Sequence, residues 1–251
     1  MDLGLKDRVY IVTGGSKGLG NAAARSLLAE GARTVLAGRD GQRARQAAAE
    51  AGPGAVGVAA DNADPGTPAR LIAAAREHFG RLDGVLISVG GPVAGGAAEP
   101  MDEHWRSAFE SVFMGSVRLA QAAAAELGEG GVIGFVLSGS VHEPLPGLAV
   151  SNGLRPGLAG YAKTLADELG PRGIRVVGLL PARIETDRVR ELDGLAPDPG
   201  AHRARMEAHI PLRRYGTAEE FGTCAAFLLS PAASYLTGTM LPVDGGARRA
   251  F

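Results

Sequence analysis

A doubly wound, parallel α/β sheet of about seven strands is the fold class this sequence predicts, and three observations predict it. Short β-rich runs alternate with helical stretches from one end of the chain to the other. The runs are apolar throughout rather than at every second residue, as suits strands covered on both faces. A glycine-rich turn also joins the first run to the first helical stretch, a junction where sheets of this kind receive ligands.

In chain order the candidate strands are RVYIVT (8–13), TVLA (34–37), AVGVAA (55–60), GVLISV (84–89), VIGFVLS (132–138), IRVVGLL (174–180) and TMLPV (239–243). Helical segments are expected between them, near 18–30, 40–51, 66–79, 102–127, 152–170 and 218–229. No break in composition marks a second domain, so a single domain is expected over 1–251. The one long irregular stretch is 181–214, which carries many charges and the Pro-rich turn LAPDPG. Because it follows the carboxyl end of a strand, it is expected to form a lid over the ligand.

Composition excludes several classes of function. The 26 basic and 27 acidic side chains nearly cancel, so no global field draws the chain to nucleic acid or to an acidic membrane. The single cysteine, Cys224, cannot form an internal disulfide, which fits a reducing, cytoplasmic setting. MDLGLKDRVY lacks the apolar core of a signal peptide, and no run approaches the roughly 18 apolar residues of a membrane span. A cytoplasmic protein acting on a small molecule is expected, with no metal site.

The turn TGGSKGLG, Thr13–Gly20, carries the nucleotide chemistry. Gly14, Gly18 and Gly20 let the backbone turn tightly and approach a bulky anion, and the helix that follows offers unpaired N–H groups and a positive dipole end to a pyrophosphate. Ser16, Lys17 and Leu19 complete the loop, so a Rossmann-type dinucleotide site is expected here. The turn after the second strand reads AGRD. An acid there accepts hydrogen bonds from a ribose 2′-OH, whereas Arg39 together with Lys17 suits a 2′-phosphate. NADP(H) is therefore the expected cofactor, and Asp40 keeps NAD(H) open.

The spacing Gly-x-x-x-Gly-x-Gly resembles that of the short-chain dehydrogenase/reductase family, and the resemblance covers almost the whole chain. Asp61 after the third strand, Gly90 after the fourth, Pro181–Ala182 with Thr186 after the sixth, and PLRRYGTAEEFGTCAAFLLSPAASYLTGTMLPVDGG at the far end extend it. The resemblance implies that Asp61 and Asn62 lie against adenine, and that Ile184 and Thr186 lie near the nicotinamide carboxamide. It also implies pairing through the helices near 102–127 and 152–170, giving a homotetramer or a homodimer.

Members of that family usually carry an Asn, a Ser and a Tyr-x-x-x-Lys pair. The resemblance implies that Tyr exchanges a proton with the substrate oxygen, Lys holds the ribose and favours the phenolate, and Ser hydrogen-bonds the substrate oxygen. This chain matches one of the four: Ser138 stands at the Ser, Ser151 at the Tyr, Arg155 at the Lys and Val112 at the Asn. Ile87-Ser88-Val89-Gly90 replaces Asn-Asn-Ala-Gly, and Tyr161 and Lys163 point away from each other on a helix and form no displaced pair.

Ser151 and Arg155, one turn apart, have several readings. Arg155 can hold ribose hydroxyls or a carboxylate, or stabilise negative charge on oxygen, and it can equally be a surface charge. Ser151 can donate a hydrogen bond but is far too weak an acid to replace a phenol. Ser151 or Asn152 can also cap the helix, with Pro156 marking an early start. A proton has other sources: His142 or Glu143 in SGSVHEPLP, a water, or the substrate itself. SVHEPLPGLAVSNGLR is similar to a recurring branch of the family with Ser-Asn-x-x-Arg. The leading expectation is an NADP(H)-dependent oxidoreductase acting on a small carbonyl, imine or conjugated alkene. A redox-neutral isomerase, dehydratase or cyclase on the same scaffold is the second, and a non-catalytic cofactor-binding partner the third.

Overall fold

Alternate residues of the first strand pack into different cores: Val9 and Ile11 face one apolar cluster, Tyr10 and Val12 the other. Both faces of the sheet are thus covered, which is why its strands are apolar at every position. The computed structural model describes residues 1–99 and 101–249. Its strands are β1 (Val9–Val12), β2 (Arg33–Gly38), β3 (Ala55–Ala59), β4 (Gly84–Ser88), β5 (Val132–Val136), β6 (Arg175–Pro181) and β7 (Thr239–Val243). They form one seven-stranded parallel sheet in the order β3-β2-β1-β4-β5-β6-β7.

The helices are α1 (Gly18–Ala29), α2 (Gly41–Ala51), α3 (Thr67–Phe79), α4 (Asp102–Ala108), α5 (Gly115–Glu126), α6 (Ala149–Leu169), α7 (Asp187–Asp193), α8 (Pro199–His209) and α9 (Ala218–Leu229). Leu27 of α1, Ala47 of α2 and Phe221 of α9 pack on the Tyr10 face. Leu71 of α3, Leu119 of α5 and Leu158 of α6 pack on the Ile11 face. Chain order reverses between β1 and β4, so the crevice at their carboxyl ends is the switch point where such sheets bind ligands. Among the described residues no helix is long and apolar enough to cross a membrane.

Strand positions agree with the sequence to within a residue or two, and three local expectations are corrected. The helix expected over 102–127 is interrupted by a π-helical turn, Phe109–Met114, between α4 and α5. An apolar repeat of 3.6 does not reveal a single wider turn. The stretch 181–214 is not irregular, for α7 and α8 lie within it, held by a small cluster of Val189, Ile210 and Tyr215. Finally, α6 opens at Ala149, so Ser151 and Asn152 lie inside it and neither caps it; Leu148 occupies the cap without a side-chain bond. Pro156 is likewise inside the helix rather than in its first turn.

The start of α9 carries a pH-sensitive contact. Thr217 and Glu220 form a capping box, and Arg214 binds both Glu220 carboxylate oxygens at 2.8 and 2.5 Å. Arg214 first, then the Thr217 N–H, hold the Glu220 carboxyl down at about 2. Because the folded value lies below the unfolded one, this contribution is full above the ordinary carboxylate range and fades as pH falls toward about 2. Glu220→Gln should therefore melt at a lower temperature than the parent at neutral pH. The gap should close in acid, as measured by thermal unfolding across pH, and a pH-independent gap would contradict the assignment.

Candidate active site

The crevice is built from β1 outward. Thr13, the residue after β1, accepts a hydrogen bond from the Ser88 N–H at 2.9 Å and donates to the Ser88 carbonyl at 3.1 Å, so the two switch strands are tied at their ends. The chain then turns through Gly14, whose φ of +58° is left-handed and on which a Cβ would lie 2.5 Å from the Ser88 carbonyl oxygen. A Cβ on Gly20 would lie 2.5 Å from the Gly14 carbonyl oxygen, so α1 presses directly on the loop. Gly18 differs: its φ is +57°, yet nothing lies within 4 Å of a Cβ placed there. Its surroundings are open on the crevice side, and Lys17 starts α1 with no side-chain cap. The first-turn N–H groups of α1 are therefore left for an outside acceptor, the arrangement a pyrophosphate fits. Asn21 donates to the Gly15 carbonyl at 2.9 Å and Ser16 lies against Gly38, so the remaining loop side chains brace it. A cleft of about 270 Å³, lined in part by Gly18, Asn21, Thr186 and Asp187, lies between the starts of α1, α7 and α9.

At the end of β2, Arg39 is exposed and Asp40 is engaged. The Asp40 carboxylate caps α2, accepting from the Gln42 and Arg43 N–H groups at 3.0 Å each, and these bonds hold its carboxyl below the ordinary range. Past β3, Asp61 is exposed and accepts from the Ala63 N–H at 2.9 Å, while Asn62 reaches the Ser111 carbonyl at 3.4 Å. Gly90, past β4, is exposed with open space around it. On the far side Pro181 ends β6, Ile184 is buried, and Thr186 caps α7 through the Val189 N–H at 3.4 Å. Arg188 of α7 donates to the Pro92 carbonyl at 2.7 Å and so bridges α7 to the loop after β4.

The start of α6 resolves the question of its polar residues. Two of its side chains hold the 139–148 segment and a third holds the ends of β4 and β5. Ser151, buried, shares a hydrogen bond of 3.3 Å with the Ser140 hydroxyl, and Ser138 accepts from the Ser140 N–H at 3.1 Å. Asn152 clasps Leu145 twice, accepting from its N–H at 3.0 Å and donating to its carbonyl at 2.9 Å. Arg155 is 4 % exposed and donates to the carbonyls of Val136 at 2.5 Å and Val89 at 3.0 Å, at the ends of β5 and β4. Among the described residues its Nε is buried without a partner. Burial pulls its pKa down to about 10, with no carboxylate of the described residues acting on it. Among those residues Arg155 is thus neither a surface charge nor one half of an ion pair.

The 139–148 segment carries the expected proton donors at the surface. His142 and Glu143 are both exposed, and burial, then Arg248, lower the His142 pKa below 6.5, against a smaller opposite effect of Glu143. The loop pairs with the one after β4 through the bridge Gly95–Leu148 and the 2.8 Å bond from the Gly95 N–H to the Gly147 carbonyl. Tyr161 packs edge-on to Phe135 while Lys163 is exposed, so these two form no displaced catalytic pair. The arginines of 183–203 are consumed internally: Arg183 pairs with Asp193, Arg188 with Glu191, Arg190 with Glu185 and Asp187, Arg203 with Glu185 and Glu207. They give no separate sign of an anionic substrate.

Asn152 is the residue whose role the sequence conceals. Read locally it is a capping type; only the return of Leu145 against α6 makes it a clasp. Asn152→Leu should leave the overall fold intact but lose two part-buried hydrogen bonds, about 1–3 kcal/mol in all. Faster amide exchange confined to 142–148 is the expected readout, and unchanged exchange there would remove the clasp.

An open parallel sheet with a glycine turn into a helix at the switch point defines a Rossmann-type, dinucleotide-binding α/β protein. The family model described as enoyl-(acyl carrier protein) reductase matches residues 14–248. The chain is 36% identical over 255 residues to L-rhamnose 1-dehydrogenase (NAD(P)(+)) of Azotobacter vinelandii, covering 96% of this chain and 97% of that one. It is 30% identical over 247 residues to the 3-oxoacyl-(acyl-carrier-protein) reductase of Salmonella typhimurium, covering 97% and 98%. The crystal structure of L-sorbose reductase from Gluconobacter frateurii, complexed with NADPH and L-sorbose, superposes with a TM-score of 0.90 at 29% identity over 100% of both chains. This chain belongs to the short-chain dehydrogenase/reductase family of oxidoreductases.

Proposed function

We propose that the protein is an NADP(H)-dependent oxidoreductase that reduces a small carbonyl, imine or conjugated alkene without a tyrosine acid. The observation that carries this reading is the Gly14–Gly20 turn, closed by backbone contacts at Gly14 and Gly20 yet open at Gly18, in front of an uncapped helix. A bound nicotinamide supplies or accepts the hydride. Gly18, Leu19 and Gly20 offer N–H groups to its pyrophosphate; Lys17 and Arg39 offer charge to a 2′-phosphate, and Asp61, Asn62, Gly90, Pro181, Ile184 and Thr186 line its two arms. Asp40 caps α2 through Oδ1 and keeps Oδ2 exposed, so NAD(H) stays open as the second cofactor. The relative complexed with NADPH supports the same cofactor.

Ser138, Ser151 and Arg155 are the residues assigned to the reacting end. Ser138 orients the substrate oxygen, and the Ser140–Ser151 hydroxyl contact extends the polar surface beside it. The Arg155 cation, on its Ser-Asn-x-x-Arg framework, stabilises negative charge that develops on that oxygen. The proton comes from the 139–148 side, where His142 is the assigned donor and Glu143 its acidic neighbour. Because the His142 pKa lies below 6.5, its protonated fraction grows only as pH falls through that lower value. Reduction should therefore accelerate toward mildly acidic pH, and His142→Gln should flatten the profile; a profile unchanged in the variant would pass the role to Glu143 or to solvent.

The segment 181–214 is assigned as a lid latched by Arg188 on Pro92. A homotetramer or a homodimer is assigned to the face where Trp105 and Phe109 are exposed and Trp105 lies against Gly153 of α6. Acceptor-dependent loss of NADPH absorbance across carbonyl, imine and enone substrates tests the proposal. Turnover with no net change in cofactor absorbance would select the redox-neutral reading. Cofactor binding without any turnover would leave a binding partner.

A further inference from the structure

Resting on the cofactor reading above, we infer that Arg155 sets the redox preference of the bound cofactor: this protein holds the reduced nicotinamide more tightly than the oxidised one. Among the described residues Arg155 is a charge with no counter-charge: it is 4 % exposed, its guanidinium donates to two backbone carbonyls, and its Nε has no partner there. Ser151, one helical turn before it, and the Ser140 and Ser138 side chains that continue from Ser151 by hydrogen bonds are all neutral hydroxyls. A tyrosine at 151, its pKa lowered by the adjacent cation, would carry phenolate character that offsets the charge, whereas a serine stays neutral at any ordinary pH. The positive end of α6, opened at Leu148 without a side-chain cap, adds to the same sign.

Position converts that charge into selectivity. A dinucleotide in such a sheet spans the switch point, with its adenosine half toward β2. Its other half then lies over the carboxyl ends of β4 and β5, whose Val89 and Val136 carbonyls are the two groups Arg155 grips. The oxidised nicotinamide ring carries a positive charge that the reduced ring lacks, while the rest of the molecule is the same. A fixed cation beneath that half disfavours the oxidised form, and burial spares it most of the screening by solvent.

Titration calorimetry of the full chain with NADP⁺ and NADPH, on the parent, Arg155→Met and Arg155→Lys, tests this directly without turnover. The parent should bind NADPH more tightly by on the order of tenfold, the scale of one charge–charge interaction across about 12 Å at an effective dielectric near 20. Arg155→Met should bring the ratio of the two affinities toward one, while Arg155→Lys, still cationic, should keep most of it. Thermal unfolding checks the fold of each variant, and Arg155→Gln, neutral yet able to donate to a carbonyl, replaces Met where that variant does not fold. Equal affinities in the parent, or the same ratio in parent and neutral variant, would overturn the inference while leaving the cofactor site standing. Failure of both forms to bind the parent would remove the site itself, and the inference with it.

Discussion

Gly18→Val is expected to fold, to lose a few degrees of thermal stability, and to lose the stabilisation that a nicotinamide cofactor confers on the parent. The folded structure has room for the side chain, since nothing lies within 4 Å of a Cβ at this position. The cost comes from φ at +57°, where a non-glycine residue loses about 1–2 kcal/mol. For a chain of this length that corresponds to roughly 2–8 °C. The ligand effect is larger, because the valine occupies the open side of the turn in front of the uncapped N–H groups of α1. Cofactor at a hundredfold excess over its Kd stabilises the parent by about 2.7 kcal/mol, and the variant should lose that whole increment. Gly20→Val is the contrast: its side chain meets the Gly14 carbonyl oxygen at 2.5 Å and should destabilise the fold with or without ligand. Thermal unfolding with and without NADPH separates the two, and an undiminished ligand shift in Gly18→Val would place the pyrophosphate elsewhere.

Arg39→Gln should weaken NADPH binding on the order of ten- to a hundredfold and leave NADH nearly unchanged. A charge-assisted hydrogen bond to a phosphate contributes about 1.5–3 kcal/mol, and that difference vanishes for a cofactor with no 2′-phosphate. Arg39 is exposed and makes no ion pair with Asp40, which faces the start of α2 instead. Its charge is therefore available at the end of β2. Lys17→Gln should act in the same direction. Equal losses for both cofactors would mean that Arg39 supports the turn rather than reading the phosphate.

The glycine turn was legible in the sequence because most of its constraints are local. Gly20 is required by a contact within the turn, Gly14 by its left-handed φ and its approach to the Ser88 carbonyl, and the change from a β run to a helix marks where that turn sits. The reacting end was legible only as a departure from the family pattern. Ser151 and Arg155 could be placed in register, but their partners come from segments up to 66 residues away, as with Arg155 and Val89. Capping, the local reading of Ser151 and Asn152, failed because α6 begins earlier and because Leu145 and Ser140 offered those side chains better partners. The π-helical turn and the helices inside 181–214 escaped for a related reason. A wider helical turn leaves no separate periodicity, and a short helix among paired charges carries too few apolar residues to announce itself.

By itself the sequence determined the layered α/β architecture, the strand positions, the glycine turn and the serine rather than tyrosine thirteen residues after Ser138, since each follows from residue type and spacing along a few neighbouring positions. Only the tertiary structure decided that Arg155 is buried without a counter-ion among the described residues, that Asn152 clasps a loop, and that Asp40 caps a helix through one carboxylate oxygen. Those facts depend on which distant carbonyls and N–H groups arrive at one point when the sheet closes, and hydrogen-bond partners of that kind leave no trace in the order of the residues.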